Sequence, residues 1–174
     1  ESMGLWVGTT DGKIKRVEGL AVNRLLGDEV QWLPDQKNLL VLRIPERGDP
    51  PAPPAVPLGP KVTDASGSVA ARSTYEARNL LQTAHDDALF EYYATNEPVI
   101  VDGKKARVKK SLGEPAIYSN VEASPDGEYF LAEYLVGPWS HEVAWWRFAS
   151  EAEVWDKKGK RVATVASLPL ADQV

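Results

Sequence analysis

The residue types best suited to binding chemistry are concentrated in one stretch of the sequence, residues 135–148. This stretch contains three Trp, one His and one Arg. Aromatic side chains and Arg contribute much of the binding energy at recognition surfaces, and a guanidinium can hold a carboxylate through two parallel hydrogen bonds. We therefore select Trp139, His141, Trp146 and Arg147 as candidate binding residues, with Arg147 as the carboxylate-binding group. The alternative is that the Trp side chains only fill the space between packed β-sheets.

Catalytic motifs are sparse in this chain. It has no cysteine, which excludes disulfides, thiolate catalysis and cysteine-based zinc sites. The two histidines, His85 and His141, fall in different predicted elements. A Gly-x-Ser-x-Gly nucleophile elbow is absent, as are the glycine patterns that bind phosphates or dinucleotides. We predict no catalytic residue, no metal site and no cofactor.

An acidic run around His85 offers a second cluster of titratable groups. Its members are His85, Asp86, Asp87 and Glu91. On a helix, Asp87 and Glu91 share one face, and a His with several carboxylates could resemble a metal site. We favour a solvated acidic helix face as the interpretation.

Composition narrows the function classes further. The 174 residues are 43% hydrophobic and 26% charged, as in ordinary globular domains. We expect no membrane contact, because no apolar run approaches the roughly 20 residues of a membrane helix. The net charge of −5 argues against a partner nucleic acid. One basic run, residues 103–110, carries five positive charges, and we interpret it as an exposed hairpin that resists edge pairing.

Two kinds of β-hairpin turn recur along the sequence. Pro-Asp turns at Pro34 and Pro125 are 91 residues apart, and so are the Asp-Gly turns at Gly12 and Gly103. A third Asp-Gly-like turn ends at Gly159. Asp-Gly between alternating apolar runs indicates a hairpin, because both turn positions favour positive φ. Two hairpins in one four-stranded antiparallel unit make a β-propeller blade.

We therefore predict a mainly all-β fold, a partial β-propeller of about two and a half four-stranded antiparallel blades with a short helical insertion. Residues 5–20 end one blade, 28–110 form the second, and 117–167 form the third. A proline-rich loop and a helix are inserted at 45–96. Because propellers have four to eight blades, the outer strand edges are left open. We expect the rest of a longer protein, or a homo-oligomer, to close them.

The insertion has two parts. Residues 45–60 are rich in proline, which cannot extend a helix or a sheet interior. They predict an extended surface loop, with a ligand for a proline-recognition domain as the alternative. Residues 74–93 show helical spacing of apolar side chains without proline or glycine, and they predict one or two short amphipathic helices.

An ordered series of short motifs resembles one known family. The series consists of Arg43-Ile-Pro-Glu-Arg47-Gly48-Asp49-Pro50-Pro51, Pro57-Leu-Gly59-Pro60-Lys61, Leu89-Phe90-Glu-Tyr92-Tyr93-Ala94-Thr95, Pro115-Ala-Ile-Tyr118, Ser124-Pro125-Asp126, Arg147-Phe148, Glu153-Val154-Trp155, Asp156-x-x-Gly159 and Leu168-Pro169-Leu170-Ala171. In order and spacing it resembles the amino-terminal propeller of the prolyl oligopeptidase family of serine peptidases, glutamyl endopeptidase branch. The resemblance covers most of residues 6–172.

The resemblance implies a role as one part of a larger enzyme. Members of the family have a seven-bladed propeller over an α/β-hydrolase domain that carries the Ser-Asp-His triad. The propeller filters and helps bind oligopeptides, and members of this branch prefer to cut after Glu. The implied function is a non-catalytic propeller segment of a secreted or periplasmic serine peptidase, with an oligopeptide substrate and the α/β-hydrolase domain as partners. The family often has His-Arg-Pro-Tyr-Ser where this chain has Val136-Gly137-Pro138-Trp139-Ser140, so one positive charge is absent.

Two other functions remain open on the sequence. The chain could be a stand-alone propeller-type module that presents a protein-binding surface. It could also be a carbohydrate-binding propeller, in which Trp139, Trp145 and Trp146 stack on sugar rings.

Overall fold

The structure, a computed structural model, describes residues 3–27, 30–54 and 80–171. In these residues the strands are β1 (Met3–Gly8), β2 (Ile14–Val22), β3 (Val30–Trp32), β4 (Asn38–Arg43), β5 (Glu97–Asp102), β6 (Arg107–Ser111), β7 (Tyr118–Ala123), β8 (Tyr129–Leu135), β9 (Ser150–Asp156) and β10 (Arg161–Leu168). Helix α1 (Ala84–Ala94) precedes β5, and a 3-10 turn (Trp145–Arg147) precedes β9. No helix in the described ranges has the length and hydropathy to cross a bilayer.

Two antiparallel sheets organise the strands. One contains the four-stranded meander β3–β4–β5–β6, and the other is the meander β7–β8–β9–β10. The β1–β2 hairpin joins the first sheet where Val22 pairs with Arg43, which makes that sheet six-stranded. The mainly all-β prediction is confirmed, and the described strands fit a partial, propeller-like arrangement with no closed barrel. The division into blades at the predicted boundaries stays a prediction.

The central strands of the first sheet, β4 and β5, are buried on both of their faces. Leu39 and Val41 of β4 belong to a core cluster shared with β1 and β2, whereas Leu40 and Leu42 belong to a cluster shared with β7, β8 and β9. Successive strand residues point to opposite faces, so a continuous apolar run serves two cores. The β1–β2 hairpin, the first meander and the second meander therefore stack as three layers.

The two Pro-Asp turns have the same local chemistry. The Asp35 carboxylate accepts a hydrogen bond from the backbone N–H of Lys37 at 2.8 Å, and that of Asp126 accepts one from Glu128 at 3.0 Å. Such side-chain bonds two residues onward stabilise a turn locally. The turns also lie side by side, on either side of a groove of about 400 Å³. Pro34 and Pro125 thus occupy equivalent positions in the two stacked meanders.

The turn at Gly103 differs from the prediction of a positive φ at that residue. In the β1–β2 turn Gly12 has φ +85°, but in the β5–β6 turn the positive φ, 52°, falls on Ala106. Gly103 is required for space instead. A Cβ there would lie 2.9 Å from both the carbonyl oxygen of Lys37 and the ring of Trp32.

The helical prediction over 74–93 is described by the structure only from residue 80, and there helix α1 begins at Ala84. Residues 74–79 of that prediction, and the proline run from residue 55 onward, lie outside the described residues. Thr83 caps α1, because its hydroxyl accepts from the Asp86 N–H at 3.1 Å and the Asp86 carboxylate accepts from the Thr83 N–H at 3.0 Å. Sequence analysis missed this reciprocal capping box. Leu80 and Leu81, which fitted the helical spacing, precede the helix.

Candidate functional site

The four candidate residues lie in the loop that joins β8 to β9, residues 136–149, which we call the aromatic loop. The loop packs against α1 and the ends of the second sheet in a third core cluster. Phe148 is buried there together with Val143, Ile117 and Ala94.

Trp139 anchors the aromatic loop to α1. Its ring meets Phe90 edge-on at 5.2 Å and lies 5.6 Å from Phe148. Aromatic pairs at this separation stabilise beyond the area they bury. The Trp139 indole N–H also donates to Glu91 Oε1 at 2.8 Å. Trp139 therefore packs the aromatic loop onto α1 and makes one polar contact with that helix.

His141 forms the second anchor. Its Nε2 lies 2.9 Å from Asp87 Oδ1, and both side chains are partly exposed. Asp87 and Glu91 share a face of α1, and that face holds the aromatic loop. The interpretation of this acidic helix face as simply solvated is therefore incomplete, because Asp87 and Glu91 also bind the aromatic loop. No group of three or more metal-ligating side chains occurs in the ranges that the structure covers.

Trp146 and Arg147 lie in the 3-10 turn and do not anchor the aromatic loop to α1. Trp146 is 62% exposed, and its ring meets Trp145 edge-on at 5.9 Å. Both Trp side chains line a groove of about 260 Å³ whose other walls include Glu133 and Glu151. The structure thus separates the four candidates into an anchoring pair and a presented pair.

Arg147 is half-buried, and its position is fixed through the backbone. Its carbonyl oxygen accepts from the Ala171 N–H and its N–H donates to Ala144, both at 2.9 Å. Within residues 3–27, 30–54 and 80–171, the structure gives the guanidinium no carboxylate or aromatic partner. Arg147 therefore has the capacity to bind a carboxylate that the described residues do not supply.

A buried carboxylate, Glu153, lies in the second sheet behind the aromatic loop. Burial opposes its ionisation, but hydrogen bonds from Trp155 (2.8 Å), Arg161 (3.1 Å) and Tyr134 (3.2 Å) hold the pKa of Glu153 below its usual value. Burial and a hydrogen bond to Glu151 raise the pKa of Tyr134. Sequence analysis missed this network, because its members are brought together only by strand pairing.

Comparison with known proteins finds two relatives whose names agree with the glutamyl endopeptidase resemblance of the motif series. Over 151 residues, 84% of the chain, it is 34% identical to a protein of Oryza sativa subsp. japonica named "Probable glutamyl endopeptidase, chloroplastic". Over 147 residues, 82% of the chain, it is 37% identical to an Arabidopsis thaliana protein of the same name. The chain is related to a segment of these peptidases. It spans 15% of the length of each. No family model matches it, and no solved structure gives a significant match.

Two motifs of this peptidase-related segment meet in the structure. The guanidinium of Arg47 lies 4.0 Å from the centre of the Tyr92 ring, a cation–π geometry. The Tyr92 hydroxyl donates to the Gly48 carbonyl at 2.7 Å. Nearby, Arg43 pairs with the buried Glu97 at 2.8 Å. The start of the proline-rich loop, at Arg47 and Gly48, is thereby fixed to the end of α1.

Proposed function

We propose that this chain is a non-catalytic, propeller-like segment of a larger serine peptidase of the glutamyl endopeptidase type. In this proposal it shapes the access and binding of oligopeptide substrates, and its partners are the substrate and an α/β-hydrolase domain of the same protein. The names of the related proteins support the peptidase assignment. The three stacked antiparallel layers support the propeller-like part.

The observation that supports the binding role is that two residues of the aromatic loop anchor it and two others lie in a turn. Trp139 and His141 hold the loop on α1, and Trp146 with Arg147 occupies a single 3-10 turn. An anchored loop loses little conformational entropy when it binds a ligand. Arg147 would receive a substrate carboxylate, while the Trp146 ring would contact apolar parts of the peptide.

The substitution Arg147→Ala in the intact protein tests this role. We expect kcat/KM for Glu-containing peptides to fall about tenfold or more, because a charge-assisted hydrogen bond is lost. Matched peptides with Gln in place of Glu should lose much less. Steady-state kinetics on the two peptide series measure the difference.

Two control variants accompany this experiment. Arg147→Lys keeps the charge but removes the two-pronged geometry, so its loss should be intermediate. Arg16→Ala removes an exposed cation from β2, away from the aromatic loop, and should affect neither series. An equal loss for Glu and Gln peptides would assign Arg147 a packing role.

A further inference from the structure

A second charged surface lies apart from the aromatic loop. We call it the basic rim and define it as residues 103–110 together with the β9–β10 turn, residues 157–161. It contains nine exposed cations in a chain of net charge −5: Lys104, Lys105, Arg107, Lys109, Lys110, Lys157, Lys158, Lys160 and Arg161. The sequence shows only its first half as a basic run, because the second half comes from another hairpin.

Tertiary contacts join the two halves of the basic rim. The Lys110 ammonium donates to the carbonyl oxygen of Lys157 at 2.6 Å, across 47 residues of sequence. Gly159 lies so close to Leu112 that a Cβ at Gly159 would overlap the Leu112 carbonyl oxygen. The two halves belong to different sheets. They nevertheless form one continuous surface.

Five carboxylates beside the rim neutralise only part of its charge. Lys157 pairs with Glu128 at 2.8 Å and Arg161 with Glu153 at 3.1 Å, and the other three carboxylates, Asp35, Asp102 and Asp156, accept backbone N–H groups of their own turns. Nine cations thus face five carboxylates. The rim therefore keeps an excess of positive charge. A surface of one sign attracts ligands of the opposite sign.

Protection of a sheet edge explains only part of the rim. β6 is the outer strand of its sheet, and Lys on an edge strand opposes pairing with other chains. Arg161 begins β10, the outer strand of the second sheet, but Lys157, Lys158 and Lys160 lie in the hairpin turn before it, where edge protection does not account for them. Trp32 is exposed, and its ring lies against Gly103 beside the rim. An exposed aromatic among cations is typical of a recognition surface.

The rim is also separate from the aromatic loop. The loop precedes Ser150 and the β9–β10 turn follows Asp156, so they lie at opposite ends of β9. Seven strand residues span about 20 Å. A ligand on the rim would therefore not occupy the Trp146–Arg147 turn.

We propose that the basic rim binds an acidic polypeptide segment, rich in Glu and Asp, through several cation–carboxylate pairs. The charge of the rim is complementary to such a segment, and a ridge built from two hairpins suits an extended chain. The net charge of −5 opposes the approach of a large polyanion such as a duplex nucleic acid or an anionic membrane more than that of one short peptide segment. This binding is independent of peptide hydrolysis.

Fluorescence anisotropy of a labelled oligoglutamate peptide tests the proposal on the intact protein, after a serine-directed covalent inhibitor has blocked hydrolysis of the peptide. We expect binding that weakens as salt is raised, with no binding of the corresponding oligoglutamine peptide. The triple variant Lys104→Ala, Arg107→Ala, Lys158→Ala should weaken binding about tenfold, because it removes three exposed charge pairs. Thermal unfolding followed by circular dichroism confirms that the variant is folded.

A matched triple variant in the β1–β2 hairpin separates the rim from net charge. Lys13→Ala, Lys15→Ala, Arg16→Ala removes the same three charges from exposed positions, and it should retain binding within about twofold. An equal loss in both triple variants overturns the proposal, as does the absence of oligoglutamate binding. Tighter binding of a single-stranded oligonucleotide or of anionic vesicles also overturns it.

Discussion

At the scale of single residues, side-chain type did not decide role within the aromatic loop. Trp139 and Trp146 have the same chemistry, yet Trp139 packs between Phe90 and Phe148 while Trp146 is largely exposed. The difference arises because Trp139 faces α1 and finds the Glu91 carboxylate for its indole N–H. Trp146 belongs to the 3-10 turn, where its ring meets Trp145 instead.

The hydrogen bonds to Glu153 predict a pH dependence of stability. The pKa of Glu153 is lower in the folded protein than its ordinary value of 4.5. The ionised carboxylate therefore stabilises the fold above about pH 4.5, and this contribution is lost as the pH falls through the folded pKa. We expect Glu153→Gln to lower the free energy of unfolding by about 1–2 kcal/mol near neutral pH. The difference from the unsubstituted protein should shrink in acid. Urea denaturation at a series of pH values measures it.

Glu128→Gln is the matched control for this prediction. The Glu128–Lys157 pair lies in the same sheet, but more than half of each side chain is exposed. Exposed pairs contribute little to stability, so the free energy of unfolding should change only slightly. A Glu153→Gln effect that stays constant into acid would show that shape, rather than ionisation, matters at this position.

At the scale of elements, the hairpins are fixed by local turn chemistry and the helix by its cap. Asp35, Asp102, Asp126 and Asp156 each accept backbone N–H groups within their own turns. Such bonds need only neighbouring residues, so the positions of turns can be predicted from the sequence. The start of α1 was missed because Asp86, rather than the usual Glu or Gln, completes its capping box.

Two glycines with the same backbone angle allow a comparison of turns. Gly12 and Gly159 have φ +85° and +86°, but only at Gly159 does a Cβ meet other atoms. We expect Gly12→Ala to cost about 1–2 kcal/mol from the left-handed conformation alone. Gly159→Ala should cost about 1–3 kcal/mol more, because it also displaces Leu112. Chemical denaturation measures both, and equal costs would show that the β9–β10 turn moves freely away from Leu112.

At the scale of the whole molecule, apolar side chains remain exposed on outer strands. Val162, Val165 and Leu168 of β10 are each more than half exposed, as are Trp6 and Ile14 in the β1–β2 hairpin. An outer strand with exposed apolar groups invites pairing with another chain. Coverage by further parts of a longer protein, or by a second copy, remains our prediction for these strands.

The proposed parent peptidase predicts where its nucleophile lies. When the intact protein is treated with a serine-directed covalent inhibitor and mapped by peptide mass spectrometry, we expect the labelled Ser outside residues 1–174. The reason is that this chain contains no nucleophile elbow. A label within these residues would assign catalysis to this chain. An intact protein without any labelled Ser would favour the stand-alone interaction module.

The sequence by itself determined the strands and the positions of the turns, because alternation and turn preferences act between neighbouring residues. It also identified the stretch that became the aromatic loop. Only the tertiary structure decided that Trp139 and His141 are anchors, and that Lys110 and Lys157 share one surface. These outcomes depend on contacts across 47 or more residues. Local sequence patterns carry no information about which distant side chains the stacked layers bring together.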